Sequence, residues 1–226
     1  MVSQNTEHIV REVKIILDEN IETGSVLAKD YNQLEIETLI RSRIVDAVMA
    51  VHEEAPSDMI DGGTDIKSQP INMHTGGLGT GYIELPDNFM RLVIFKLTAW
   101  RRPVIEPIRD TDPLYFMQKS KFNGIRGGVD KPVCALSTGQ NGRILEFYSV
   151  PAGETASIEI AKYLALPEIT GVDNEGNGMI EISKRLMRSV YYYTAGLVAT
   201  TLKDPNADKF FIIAKSYYAT QSGDVQ

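Results

Sequence analysis

The stretch Gly81–Val104, GYIELPDNFMRLVIFKLTAWRRPV, constrains the fold more than any other part of the chain. It opens on Tyr82-Ile83-Glu84-Leu85, where alternate side chains fall on opposite faces as in a half-buried strand. Pro86-Asp87-Asn88 then supplies turn chemistry, because proline presets φ and Asp and Asn bond back to nearby backbone. The apolar run Leu92-Val93-Ile94-Phe95-Lys96-Leu97 follows, with the single tryptophan, Trp100, just beyond it. Arg101-Arg102-Pro103 closes the stretch. These features predict two neighbouring strands joined by a turn, ending at a basic corner where interior gives way to surface.

The flanking sequence reads as helix on one side and as sheet followed by helix on the other. Ile9, Val10, Val13, Ile16 and Leu17 recur at helical spacing and predict a helix over 6–19, capped by Asn5 or Thr6. A loop over 20–32 leads to a second helix over 33–54, whose apolar faces come from Leu34, Ile36, Leu39, Ile40, Val48 and Met49. Pro56 lies where that helix can no longer continue. Residues 56–80 are polar and rich in Gly and Asp, which predicts a long irregular loop that gains order against a neighbouring subunit.

After the central stretch, Asp110–Phe122 predicts a short helix, with Asp110 or Asp112 as cap and Pro113 in the first turn. Strands are expected at 132–137, 143–150 and 157–164, the first two joined by a hairpin at Gln140-Asn141-Gly142. A long helix over 181–203 and a second over 206–220, broken at Asp204-Pro205, close the chain. The last two helices hold more aromatic residues than one stripe accommodates, so they need more than one neighbour.

The fold class expected is therefore α+β: a helical domain of two N-terminal and two C-terminal helices, with a small antiparallel sheet inserted between them. The expected division is residues 1–80, N-terminal helices and long loop; 81–178, β-rich insertion with one short helix; and 179–226, a C-terminal helical pair packing on the N-terminal helices.

Composition narrows the class. A chain of 226 residues with 43% hydrophobic and 23% charged residues has ordinary globular composition and can bury a sizeable core. No apolar run approaches the ~20 residues that span a bilayer, so no membrane partner is expected. The N-terminal segment lacks a signal-peptide pattern. The single cysteine, Cys134, cannot form an internal disulfide, in keeping with assembly in a reducing cytoplasm.

The net charge of −7 is unevenly spread: residues 1–90 hold 6 Lys/Arg against 16 Asp/Glu, whereas residues 91–131 hold 9 against 4. Such a separation fits complementary faces on neighbouring copies, or an acidic partner; a solvated basic loop is the plainer alternative.

Motifs with catalytic or ligand-binding chemistry are incomplete. The run Gly76-Gly77-Leu78-Gly79-Thr80-Gly81 opens a strand and has no nearby lysine, unlike a phosphate-cradling loop. Asp173, Glu175, Asn177 and Gly178 match the start of a calcium loop, but Lys184 stands where the bidentate glutamate belongs; a tight acidic turn capping the following helix is expected instead. His8, His52 and His74 lack metal-ligand spacing, and Pro56 replaces the second histidine of a zinc-protease helix. Cys134, between Val133 and Ala135, reads as a small core residue. The cluster Asp58, Asp61 and Asp65 reads as a solvated loop. No catalytic residue, cofactor or metal site is assigned, and the chain is read as not an enzyme.

The order of these parts carries a resemblance. Leu85-Pro86-Asp87-Asn88-Phe89-Met90-Arg91-Leu92, Trp100-Arg101-Arg102-Pro103-Val104, the segment IRDTDPLYFMQKS and the paired terminal helices resemble head-to-tail adaptor proteins of short-tailed bacteriophages. The likeness is to the tail-tubular or ring type, especially ring proteins of crAss-like phages. It covers most of the chain from about Gln33, although residues 56–80 have no counterpart and the motifs are structural.

The resemblance implies a non-enzymatic virion protein. Copies would form a ring, expected to be a dodecamer, below the portal at one capsid vertex, after assembly in the host cytoplasm. The ring would join portal to the next ring or tail-hub protein and let double-stranded DNA pass during packaging, retention and ejection. Portal-interface candidates are Phe210, Phe211, Tyr217 and Tyr218. Subunit-interface candidates are Trp100, Arg101 and Arg102. The alternative is a cytoplasmic protein-binding or regulatory module without catalysis.

Overall fold

The structure is a computed structural model that describes residues 1–20, 33–75, 79–120, 122, 125–151, 153–174 and 176–219. The chain divides into two compact units, one formed by Met1–Asp61 with Pro167–Gln226 and the other by Gly62–Leu166. The divisions thus fall after Asp61 and Leu166, whereas residues 80 and 178 lie inside units.

The expected fold class is corrected. Among the described residues there are five α-helices and ten strands in three sheets, a mixed and strand-rich architecture. It is not a helical domain carrying one small sheet. The missing strands are mostly short: β2 (Thr64–Asp65), β3 (Asn72–Met73) and β6 (Ile108–Arg109) are two residues each. Two residues carry no period, so only their hydrogen-bonding partners define them as strand.

In the first unit, β1 (Val2–Asn5) pairs antiparallel with β10 (Met179–Ile182) and leads into α1 (Thr6–Asn20). Asn5 Oδ1 accepts the Glu7 N–H at 2.8 Å, satisfying an otherwise orphan donor of the first turn. Helix α2 spans Gln33–Glu54.

The expected helix over 181–203 is shorter than its apolar pattern. Glu181 and Ile182 leave it for β10, and a 3₁₀ turn at Lys184–Leu186 precedes the helix itself, Met187–Thr201 (here α4). Helix α5 (Ala207–Ala219) follows. The acidic turn at 173–177 consequently precedes a strand and caps no helix.

Helix α4 packs against α1, α2 and α5. Ile9 and Val13 of α1, Ile40 and Ile44 of α2, Val190 and Val198 of α4, and Phe210 of α5 are buried. Two buried hydroxyls are satisfied by backbone: Ser189 Oγ donates to the Ala214 carbonyl and Thr194 Oγ1 to the Val190 carbonyl, at 2.8 and 2.7 Å, whereas the Tyr191 hydroxyl has no hydrogen-bond partner among the described residues. The aromatic surplus is used within the chain. Tyr192 packs on Tyr217 and Tyr193 on Phe211, with ring centroids 5.7 and 4.9 Å apart.

The second unit holds two sheets. Strand β4 (Gly81–Glu84) shares a sheet with β7 (Cys134–Gly139) and β8 (Gly142–Phe147) in the order β3-β4-β8-β7-β6, whereas β5 (Phe89–Leu97) shares one with β9 (Ile158–Ala165) in the order β2-β9-β5. The central stretch is therefore not a hairpin, and the prediction of neighbouring strands is corrected. Strand β4 pairs with β8 and β5 with β9. Both sheets contribute to one core, Ile83, Leu145 and Phe147 from the first and Leu92, Phe95, Leu97 and Tyr163 from the second. Crossing from one sheet to the other lets both strands bury their apolar faces, which pairing in one sheet would not do. The hairpin at 140–142 forms between β7 and β8, with Gly142 at φ +130°, a conformation that glycine adopts without a Cβ penalty.

Residues 56–80 are more ordered than predicted. They contain a 3₁₀ turn at Ser57–Met59 and strands β2 and β3, which extend both sheets of the second unit. Gly79 closes the segment at φ +63°, and a Cβ there would sit 2.0 Å from the Val150 carbonyl oxygen. Gly79 is thus a close-approach glycine, and Gly76 and Gly77 of the expected glycine-rich loop lie outside the described residues.

Candidate functional site

The short helix α3 (Pro113–Met117) begins where the sequence places a cap: Asp112 Oδ1 accepts the Leu114 N–H at 2.8 Å and Pro113 occupies the first turn. It spans five residues of the wider expected segment. Its amphipathicity is inverted. The residues directed inward are polar, Tyr115 and Gln118, while Leu114, Phe116 and Met117 are 49%, 67% and 46% exposed. Farther along the chain, Phe122 and Ile125 are also exposed, at 73% and 52%.

The inward face is held by hydrogen bonds in place of apolar packing. Tyr115 Oη donates to Glu146 Oε1 at 3.0 Å, the same oxygen accepts Ser137 Oγ at 2.8 Å, and Tyr148 Oη donates to Oε2 at 2.7 Å. Gln118 is 3% exposed; its Nε2 donates to the Leu114 carbonyl at 3.1 Å and its Oε1 accepts the Gly127 N–H at 2.7 Å. Ser149 Oγ donates to the Gly127 carbonyl. Burial, followed by the charge and hydrogen bond of Glu146, pushes the Tyr115 hydroxyl up to about 12. Burial and then Glu146 likewise push Tyr148 up. Both tyrosines consequently stay neutral donors around neutral pH, and the carboxylate they surround is a structural anchor.

Positive charge borders this surface. Arg109 and Lys119 are exposed, with Lys119 Nζ 4.8 Å from the centre of the Tyr115 ring. Arg101 pairs with Asp130 at 2.8 Å across a surface where both are more than two-thirds exposed, an ion pair that contributes little. Residues 101–131 hold 7 Lys/Arg against 4 Asp/Glu. The arrangement provides contact area and electrostatic attraction.

Other sequence candidates fall elsewhere. Trp100 is 2% exposed and packs edge-on against Phe95 and Phe147, with centroids 5.7 and 6.4 Å apart. It is corrected from interface residue to core residue, since it cannot reach a neighbour without opening the unit; Arg101 and Arg102 remain exposed. Phe210 and Tyr218 are similarly corrected, being 2% and 7% exposed, while Phe211 and Tyr217 are half-buried. Tyr218 Oη donates to Glu54 Oε2 at 2.8 Å, and Lys215 Nζ lies 3.0 Å from the same oxygen. Burial raises the Glu54 carboxyl, but these two hydrogen bonds outweigh it and hold the group below its ordinary range. Removing residues 206–226 would therefore strip core side chains from the first unit as well as any contact surface.

A cleft of about 450 Å³ in the first unit is lined by Glu7, Arg11, Lys14, Glu37, Arg41 and Asn177 among others. Three of its charges are paired: Lys14 binds Glu37 at 2.8 Å and holds that carboxyl below its ordinary range, and Arg41 lies 3.7 Å from the other Glu37 oxygen while donating to Asn177 Oδ1 at 3.0 Å. Cys134 is buried, which pushes its thiol well up and makes it a poor nucleophile. His52 is buried and its Nε2 accepts the Ser183 N–H at 3.2 Å. Among the described residues no group of three His, Cys, Asp or Glu side chains is placed to hold a metal, and no helix is long and apolar enough to cross a membrane.

The chain matches no protein-family model and no curated protein. The inverted helix was the feature sequence reasoning missed. Spacing gave no signal for it: Leu114 and Met117 are i,i+3 neighbours with Phe116 beside them, so the pattern by itself fits an apolar face turned inward.

Proposed function

We propose that this chain is a structural virion protein, not an enzyme, which assembles with copies of itself into a ring below the portal of a short-tailed phage. The ring would join portal to the next ring or tail-hub protein and enclose a channel for DNA. The single observation that supports an assembly role is the exposed apolar surface of α3, mounted on a satisfied polar anchor. A monomer gains nothing from presenting apolar side chains outward on a firmly held element; such patches mark interaction sites. The portal and virion context comes from the resemblance of the 85–104 stretch and of the terminal helices.

Charge distribution supports the same role. The unit formed by 1–61 and 167–226 holds 11 Lys/Arg against 20 Asp/Glu, whereas 62–166 holds 12 against 10. Acidic side chains facing a channel would repel phosphates and let a duplex slide. For portal docking, the half-buried Phe211 and Tyr217 flank Ile212, which is 68% exposed on α5 and becomes the apolar contact candidate there.

Electron microscopy of the purified chain with and without portal tests this directly. The expected particle is a closed ring seated on portal, with more acidic than basic side chains along its lumen. A chain that stays at 25.1 kDa in both samples, or a ring with a continuous Arg/Lys-lined channel, refutes it.

A further inference from the structure

The first unit carries a surface complementary in charge to the one around α3. Residues 167–181, PEITGVDNEGNGMIE, hold four Asp/Glu and no Lys/Arg. The described part is a closed hairpin: the Thr170 and Met179 backbones exchange hydrogen bonds of 2.9 and 2.8 Å. Asp173 Oδ1 accepts the Asn177 N–H at 2.8 Å, so this carboxylate is engaged in turn formation. Asn177 is in turn held by Arg41, and the Gly178 N–H donates to Thr6 Oγ1 at 2.9 Å. The base of the hairpin is thereby fixed to α1 and α2. Its outer side exposes Val172 and Met179, at 59% and 38%, alongside exposed Glu168 and Glu181.

Two anchored surfaces thus each combine exposed apolar side chains with a surplus of one charge. One displays Leu114, Phe116 and Met117 with Arg109 and Lys119, beside an exposed Asp110, in a stretch, 101–131, that holds 7 Lys/Arg against 4 Asp/Glu; the other displays Val172 and Met179 with Glu168 and Glu181. Resting on the proposed ring, we infer that these surfaces meet between copies of this chain: the α3 surface of one protomer seats on the 167–181 hairpin of the next. The apolar residues supply the desolvated centre and the opposite charges supply orientation. Both halves of the contact are on every copy and they differ from each other. The contact is heterologous, so it propagates head to tail, closing into a ring when the rotation permits and making a filament when it does not.

A charge-swap experiment tests the pairing. One variant carries Arg109→Glu with Lys119→Glu, and the other carries Glu168→Lys with Glu181→Lys. All four positions are exposed, and none hydrogen-bonds within the Glu146 cluster or the Asp173 turn, although Lys119 lies over the Tyr115 ring. Measured by sedimentation velocity and mass photometry, each variant alone should self-associate about tenfold more weakly than the unaltered chain, or worse, since each then meets like charge. Mixing the two should restore assembly, as should placing all four substitutions in one chain.

Rescue by mixing excludes misfolding as the cause of the loss. Undiminished assembly of either variant overturns the contact, and so does failure of both rescues. If rings still form on portal from both variants, this contact falls while the ring stands. An unaltered chain that is monomeric with and without portal removes both. Loss of portal binding with self-association intact reassigns the surface to portal and refutes the pairing.

Discussion

Replacing Tyr148 by phenylalanine should destabilise the second unit more than the same change at Tyr115, although both hydroxyls bind one carboxylate. Tyr148 is 3% exposed and is the donor to Glu146 Oε2 at 2.7 Å. Tyr115 is half-buried and donates at 3.0 Å to Oε1, which keeps Ser137 Oγ at 2.8 Å when the tyrosine is lost. A hydrogen bond to a charged group contributes roughly 1.5–3 kcal/mol. Tyr148→Phe leaves one oxygen of the half-buried Glu146 carboxylate without that donor and should cost about 2 kcal/mol. Tyr115→Phe leaves the oxygen satisfied and should cost about 1 kcal/mol.

The assay is built into the chain. Trp100 is the only tryptophan and lies in the core of the second unit, so its emission during urea unfolding reports on that unit. With a urea slope of about 1.5 kcal/mol per molar, the midpoints should fall by roughly 1.3 M and 0.7 M. The double variant should cost less than the sum if the two hydroxyls share one network. Equal losses, a larger loss for Tyr115→Phe, or unchanged midpoints would refute the view of Glu146 as the anchor of α3.

Two further outcomes are expected. Tyr115 titrates at about 12 in the folded chain against about 10 when unfolded. The folded state therefore keeps a proton that the unfolded state releases, so this contribution is full below pH ~10 and is lost as pH rises towards ~12. Tyr148 acts with the same sign. Trp100-monitored stability should fall across that window, less steeply in Tyr115→Phe; a rise contradicts the assignment. In the first unit, Thr6 is fully buried and its Oγ1 accepts the Gly178 N–H at 2.9 Å, so Thr6→Val should cost about 1–3 kcal/mol by stranding that donor. Thermal unfolding followed by circular dichroism should show Thr6→Ser losing less, and equal losses would place the effect in methyl packing.

Local chemistry was legible in the sequence where one side chain decides one backbone event. Asp112 caps α3 as expected, Gly142 turns the β7–β8 hairpin, and the helices over 33–54 and 206–220 lie close to their predicted bounds. The site was legible only in part. Positive charge around 101–131 can be counted, but the acidic turn at 173–178 was read as a helix cap because the strand after it is four residues long. Trp100, Phe210 and Tyr218 looked like contact residues because composition does not distinguish an aromatic that meets a neighbouring copy from one that fills its own core.

The sequence by itself determined periodicity, caps, turns and charge, which depend on residues a few positions apart. Tertiary structure alone decided which strands share a sheet. Tyr82–Glu84 and Phe89–Leu97 are joined by a short turn yet pair with β8 and β9, far along the chain, because two sheets around one core bury both apolar faces. The direction of α3 was likewise settled at a distance. Glu146, Ser137 and Tyr148 lie on or beside strands remote from 113–117, and their hydrogen bonds turn Tyr115 inward and leave Phe116 in solvent.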